Sequence, residues 1–555
     1  MLPSILVWRF WLLRLRYLLL LIVLMPAAAI AADEGIPVQS ELVKNACGSC
    51  HASDDDGHMT RISYQRKTPE GWQLTLKRMI RTNGLNLTPD QARAIVRYLS
   101  DHHGLAPDEA RPYFYRAEKR AQLENIEAGE LKETCVRCHM GARFFTQRRT
   151  EEEWDLLKGM HIGYFPVIEF QTFRSASPLA GDAPAEDTGS EWRADRVLKT
   201  LKADYPLETP EWKRYQAKGT GRGIAGRWLL KTHQPGEGPA SGVITFAKAG
   251  DDYTYSAEIL LADGSRHQRE GKGVLYGGYS WRGSSNGDGL GELREVLMLS
   301  DDGSKLEGRI FSGTYGELGL DATLVRLGED PRIAAVWPRS AKVGAATASV
   351  TITGANFTDA ILTDDLDFGQ GVSVTGISSR TATTLTVTLE VSDEALSGYR
   401  DVALGPTQAV DAFAVYDRVD YVKVLPDEAL ARVGGGGVAK QFAKFEAAAF
   451  HRGPDDEPLT EDDVNLGTVQ PEWSVEEYYI RHEDDDIEYV GTIDQKGFFT
   501  PAIDGPNMDR ELNANNFGDV WVVASYRPEG VSEALRGRSR LVVTIPIYVY
   551  WELFP

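Results

Sequence analysis

The sequence predicts a multidomain protein: an α-helical tandem unit at the amino-terminal end, then an antiparallel β-barrel, then two immunoglobulin-like β-sandwiches. Three observations carry this expectation. The motif C-x-x-C-H occurs twice, each time followed by a segment of helical pattern. From about Gly221 the hydrophobic period changes to two, in short alternating runs separated by glycine-rich turns. A length of 555 residues corresponds to three or four domains at about 150 residues each.

Residues 1–32 stand apart from all of this. Arg9, Arg14 and Arg16 precede an apolar run from Leu18 to Met25, and mostly small residues follow from Ala27 to Ala32. That order describes a secretory signal peptide cut after Ala31 or Ala32. An uncleaved anchor is the rival reading, because Ile5 to Leu13 lengthens the apolar stretch, but arginines interrupt it. Export places the mature chain in a bacterial periplasm, with no stable membrane insertion, where thiols normally oxidise. Sixty basic residues against 81 acidic ones give a net charge of −21. A surface so negative repels phosphate backbones and argues against nucleic-acid binding.

The four cysteines do not read as ordinary disulfides. All of them fall in Cys47-Gly48-Ser49-Cys50-His51 and Cys135-Val136-Arg137-Cys138-His139. C-x-x-C-H is the attachment signature of c-type haem. Two thiols one helical turn apart form thioethers with the two porphyrin vinyl groups, and the adjacent histidine becomes the proximal iron ligand. A thioredoxin-type pair lacks the repeated histidine, and a zinc site would have to mix ligands from both motifs. The expectation is two covalently attached haem c groups, held by Cys47 and Cys50 and by Cys135 and Cys138, with His51 and His139 on the irons.

An internal repeat suggests the second axial ligands. Arg66-Lys67-Thr68-Pro69-Glu70-Gly71-Trp72 follows the first motif, and Arg148-Arg149-Thr150-Glu151-Glu152-Glu153-Trp154 the second. Both read as a Thr N-cap, an acidic first turn and an amphipathic helix, so the region 33–190 reads as tandem cytochrome c units. Aligning the tryptophans matches Met79 to His161, which gives His51/Met79 for one haem and His139/His161 for the other. A one-residue slip matches Met79 to Met160 instead, and the choice between Met160 and His161 stays open. His58, His102 and His103 are rival ligands. Thioether ligation raises a haem potential relative to two histidines, so the pair forms a directional relay. With no empty iron position, the domain is built for electron transfer.

The remainder carries little chemistry. Residues 175–190 read as a linker, and Glu191 to Gln216 as two helical pieces broken near Pro206 and Pro210. Together with the runs Val243 to Phe246, Tyr253 to Ala257 and Val274 to Tyr276, they make 191–330 a helical linker and β-barrel domain. Trp228, Tyr276, Tyr279 and Trp281 read as packing residues more than as a ligand pocket. In 331–418, Val350-Thr-Ile-Thr-Gly354-Ala-Asn-Phe357 and Thr384-Leu-Thr-Val-Thr-Leu389 resemble immunoglobulin-like domains of the IPT/TIG class. Residues 419–555 form a second immunoglobulin-like unit, with Trp473, a turn at Gly497-Phe-Phe-Thr-Pro501 and a final strand pair. The run Glu483 to Asp486 reads as a solvated acidic loop.

Signal peptide, tandem C-x-x-C-H unit, barrel and two sandwiches, in this order, resemble the α subunit of bacterial quinohemoprotein amine dehydrogenase. Cys47 to His51 with Arg66 to Trp72, Cys135 to His139 with Trp154 to His161, and Asn516-Phe-Gly-Asp-Val-Trp-Val-Val-Ala524 carry the resemblance. It implies an oxidoreductase acting on primary amines in which this chain has no catalytic residue of its own. A small γ subunit would bear a cysteine tryptophylquinone, a β subunit would form a propeller, and electrons would pass through one His/Met and one bis-His haem to an external cytochrome c or cupredoxin. Another electron-transfer or sensor subunit, or a dihaem peroxidase, are the alternatives.

Overall fold

The computed structural model describes residues 35–113, 126–174, 191–219, 223–288, 291–479 and 485–546. The expected signal peptide (1–32) and linker (175–190) lie outside these residues. Among the described residues no helix is long and apolar enough to cross a membrane.

The amino-terminal region is helical. In chain order its helices are α1 (Glu41–Cys47), α2 (Pro69–Asn83), α3 (Pro89–His102), α4 (Pro107–Ala110), α5 (Glu130–Cys135), α6 (Ala142–Phe145), α7 (Glu151–Tyr164), α8 (Arg193–Asp204) and α9 (Pro210–Lys218). The two expected N-caps are present. Thr68 accepts from the Gly71 N–H at the start of α2, and Thr150 from the Glu153 N–H at the start of α7. Each satisfies a helix-end donor that would otherwise lack a partner. α2 stops at Gly84, whose φ of 71° places it in the left-handed region that favours glycine.

Just before each cap lies a three-residue strand, β1 (Gln65–Lys67) and β2 (Gln147–Arg149). They pair antiparallel, with Gln65 opposite Arg149, Arg66 opposite Arg148 and Lys67 opposite Gln147. Arg66 and Arg148 occupy the same place in the two repeats, so a local two-fold axis passes through their pair. A single buried carboxylate, Glu109, sits against both. Arg66 donates to it at 2.7 and 2.9 Å, and Arg148 Nε lies 3.1 Å from its Oε1.

Each repeat has its own core. Val43, Met59, Trp72, Leu76, Ile95 and Leu99 pack in the first, and Phe144, Phe145, Trp154, Val197, Leu198 and Leu201 in the second. The last three belong to α8, so a helix from beyond residue 190 completes the second core.

The barrel follows: β3 (Gly226–Gln234), β4 (Gly238–Ala249), β5 (Asp252–Leu260), β6 (Arg266–Tyr276), β7 (Ser280–Gly287), β8 (Leu293–Leu299), β9 (Lys305–Ser312) and β10 (Leu318–Arg326). Each strand pairs antiparallel with the next, and β10 pairs back on β3, from Ala322 opposite Thr232 to Arg326 opposite Trp228. Closure leaves no sheet edge unpaired. Trp228, Phe246, Tyr279, Trp281 and Leu324 fill the interior, and Tyr276 packs instead against the first repeat's core. The barrel docks on the helical unit through polar contacts. Tyr279 donates to the Leu105 carbonyl at 2.9 Å, the Gly277 N–H to Asp101 at 2.7 Å, and Arg282 pairs with Glu70.

The next unit has two four-stranded sheets. One joins Arg332–Trp337, Ala348–Ala355, Thr384–Val391 and Val372–Arg380; the other joins Ser340–Lys342, Thr407–Tyr416, Gly398–Leu404 and Leu366–Asp367. Val350, Ile352, Leu385 and Val387 from the first share one core with Val402, Leu404, Phe413 and Val415 from the second. The last unit has three sheets around Val424, Phe445, Trp473, Phe499, Val522 and Leu541.

Two expectations in this last unit are corrected. Phe498–Pro501 is a strand, and its turn is tied by Asp494, whose side chain accepts from the Lys496 and Phe498 N–H groups. The acidic run is not simply solvated. Asp486 is buried, accepts from Arg510 at 2.7 Å and from the Asp519 N–H at 2.9 Å, and Asp485 also pairs with Arg510. Glu483 and Asp484 lie outside the described residues. Among the described residues no group of acidic, histidine or cysteine side chains could hold a metal ion by itself.

Candidate functional site

The two C-x-x-C-H motifs lie in the walls of two neighbouring cavities. One, of about 750 Å³, is lined by Cys47, Cys50, His51 and Met79. The other, of about 250 Å³, is lined by Cys135, Cys138, His139, Met160 and His161. Each motif begins at the carboxyl end of a short helix, α1 or α5, and turns sharply into its histidine. The four thiols are free of one another. Burial holds the Cys135 thiol protonated, pushing it up to about 12.

The histidines are oriented by carbonyl groups. His51 Nδ1 lies 2.9 Å from the Thr60 oxygen, His139 Nδ1 3.0 Å from that of Met140, and His161 Nδ1 2.8 Å from that of Leu157. A carbonyl only accepts, so Nδ1 carries the proton and Nε2 keeps its lone pair for a metal. Burial brings His139 down to about 4 and lowers His161 as well, so both rings are neutral at pH 7.

The His139 and His161 ring centres stand 6.4 Å apart. Two metal–nitrogen bonds of about 2 Å, with the two ring radii added, span roughly that distance. Phe173, 6.2 Å from His161, and buried Phe144, Leu198 and Leu201 wall this cavity with apolar surface. A flat porphyrin between two imidazoles fits this donor set. Met79 and His161 hold the same place relative to their caps Thr68 and Thr150, so the structural repeat aligns them as the tryptophans do. Met160 falls in the wall between the cavities and lines both.

His58, His102 and His103 line neither cavity. His58 pairs with Asp54 at 3.1 Å, and His102 packs on Tyr98 with ring centres 4.5 Å apart. His103 is fully buried beside Trp72, and burial brings it down to about 3.

Four family profiles, each for part of one protein, match successive stretches of the chain. They are the haem-binding region of the quinohemoprotein amine dehydrogenase α subunit (38–178) and its domains II (222–327), III (330–417) and IV (422–553). The chain belongs to the quinohemoprotein amine dehydrogenase α-subunit family. The two cavities therefore lie in the haem-binding domain of an α subunit, and the family is one of oxidoreductase complexes built from several subunits. No curated protein sequence matches the chain. Among solved structures, a redesigned β-barrel, mFAP0 bound to DFHBI, is 17% identical over 19% of this chain and 98% of its own, with a TM-score of 0.17. Surface layer protein SbsC, domains 1-6, is 10% identical over 84% of this chain and 97% of its own, with a TM-score of 0.15. At these scores neither informs on function.

Sequence reasoning missed the basic side chains of the α subunit's cavity walls: Lys67, Arg78 and Arg149. A signal was present, because a basic pair precedes the Thr cap in both repeats.

Proposed function

We propose that this chain is the electron-transfer subunit of a periplasmic quinohemoprotein amine dehydrogenase. In this reading a primary amine is oxidised to aldehyde and ammonia at a cysteine tryptophylquinone in a γ subunit. A propeller β subunit completes the heterotrimer, and an external cytochrome c or cupredoxin takes the electrons from this chain. One observation carries the proposal: two adjacent cavities, each with a C-x-x-C-H set and a second axial donor, share a wall inside one haem-binding domain.

Two haem c groups would supply one-electron chemistry when bound. The chain's own residues hold and shield them. Cys47 and Cys50, and Cys135 and Cys138, supply the thioether sulfurs. His51 with Met79, and His139 with His161, would be the ligands of the two irons. The backbone carbonyls of Thr60, Met140 and Leu157 hold the proton on Nδ1 of His51, His139 and His161, which leaves each Nε2 lone pair available to an iron. Phe144, Phe173, Leu198 and Leu201 would shield a haem in the His139 cavity from water and so favour outer-sphere transfer over oxygen chemistry there. A second donor in each cavity favours this reading over a peroxidase, which needs one open iron. All four cysteines belong to the motifs, so the cysteine of a cysteine–tryptophan quinone has to come from another subunit.

The test is purification of the chain from the periplasm at native expression, with spectra before and after addition of a primary amine. Stoichiometric small partners and amine-dependent haem reduction are expected. A lone haem protein that ignores amines would overturn the proposal.

A further inference from the structure

The wall between the two cavities carries unbalanced positive charge. Arg78 and Arg149 line both cavities, Lys67 lines the one with His139, and Arg61 the one with His51. Glu153 stands among these four cations, 2.7 Å from Arg61 and 3.3 Å from Arg149, while Glu70, also in the wall of the His139 cavity, pairs with Arg282. The other Arg149 donors go to the neutral amide oxygen of Gln147. Lys67 donates to Thr75 at 2.8 Å and lies 5.0 Å over the Trp72 ring, and among the described residues no carboxylate pairs with it. The Arg78 guanidinium makes no hydrogen bond or ion pair with the described residues.

Lys67 and Arg149 are 3% and 4% exposed. A buried cation without an anion, as Lys67 is here, pays a large desolvation cost that nothing in its surroundings repays. Burial and the nearby arginines accordingly push Lys67 well down from its ordinary value. The local two-fold symmetry argues that this is a built feature. Lys67 and Arg149 hold the same position, immediately before the Thr caps, and each lies over its own repeat's tryptophan, at 5.0 and 5.6 Å. The pairing of β1 with β2 brings both to one wall. A haem brings two carboxylates of its own, and arginine forks match carboxylates in a bidentate manner.

We propose that Lys67, Arg61, Arg78 and Arg149 form one cationic seat, shared by the two cavities, for the propionate carboxylates of both haems. This rests on the dihaem reading above. Lys67 serves the haem held by His139, Arg61 the haem held by His51, and Arg78 and Arg149 face both. The propionates would supply Lys67 with the anion it lacks and would give Arg61, Arg78 and Arg149 further acceptors.

The test uses holoprotein from cells fed δ-aminolevulinate isotope-labelled at the carboxyl, so that the propionates carry the label. Redox-induced infrared difference spectra and midpoint potentials are compared for wild type, Lys67→Gln, Arg61→Gln and Arg78→Gln. Lys67→Gln is expected to shift a labelled carboxylate band and lower the potential of the His139 haem alone. Arg61→Gln is expected to do the same for the His51 haem, Arg78→Gln for both, and Lys67→Arg to restore the wild-type band. Arg78 is only half-buried, so its variant keeps the test open if Lys67→Gln fails to fold. Labelled bands and potentials unmoved in a dihaem Arg78→Gln protein would overturn the seat alone. A wild-type protein without haem would overturn the dihaem reading together with it.

Discussion

In the dihaem reading proposed above, the choice of ligand in the His139 cavity falls between two adjacent residues. Met160 and His161 are neighbours in sequence; the His161 ring stands 6.4 Å from that of His139 with its Nδ1 held by Leu157, whereas Met160 lies in the wall that both cavities share. His161→Ala is therefore expected to open the second iron, so that the reduced protein binds carbon monoxide at one haem, whereas Met160→Ala leaves both spectra six-coordinate. Carbon monoxide difference spectra check this, and the reverse outcome would make Met160 the ligand. Met79→Ala is expected to lower the other haem's midpoint potential or open it to ligands, since thioether ligation raises the potential. A spectroelectrochemical titration reads that shift. Replacing Cys135 and Cys138 with Ala together should leave one covalent haem, counted by mass spectrometry under denaturing conditions.

At the scale of elements, the two repeats are joined by the β1–β2 pair and by Glu109 between Arg66 and Arg148. Burial alone would raise Glu109, but the hydrogen bond from Arg66 and the charges of Arg66 and Arg148 bring it down to about 2. The folded value lies below the ordinary 4.5, so the carboxylate stabilises the fold fully above about pH 4.5. That contribution is lost as the pH falls toward about 2. The helical unit should accordingly lose stability over this window, and Glu109→Gln should flatten the dependence while costing about 3–5 kcal/mol at pH 7, the usual loss when one partner of a buried pair is removed. Denaturant titrations followed by the haem absorbance test both. Thr68→Ala and Thr150→Ala remove one cap each and should cost about 1 kcal/mol apiece in the same assay.

Across the whole molecule, the barrel braces the helical unit. Arg282 and Glu70 are 13% and 12% exposed, and Glu70 sits in the first turn of α2, in the wall of the His139 cavity. Arg282→Ala should loosen this docking by about 1.5–3 kcal/mol, the range for hydrogen bonds to charged groups. Faster limited proteolysis between α9 and β3, with the haem spectrum unchanged, is the expected result. Unchanged cleavage would place the bracing in Tyr279 and Asp101 instead.

The sequence by itself determined whatever depends on local spacing. The thiol–histidine motifs, the Thr caps of α2 and α7, the break between α8 and α9, and the switch to alternating strands all follow from residues a few positions apart, where helix and strand periods leave a direct mark. Tertiary structure decided what depends on contacts between distant segments. The closing of β10 on β3, the packing of α8 into the second core, the pairing of Asp486 with Arg510 and the meeting of Lys67 with Arg149 at one wall have no local signature. Each places side chains together only after chain segments tens of residues apart have packed. His161 stands between these two cases. Its spacing from Trp154 proposes it as the partner of Met79, and the separation of its ring from His139 is set by how α7 packs.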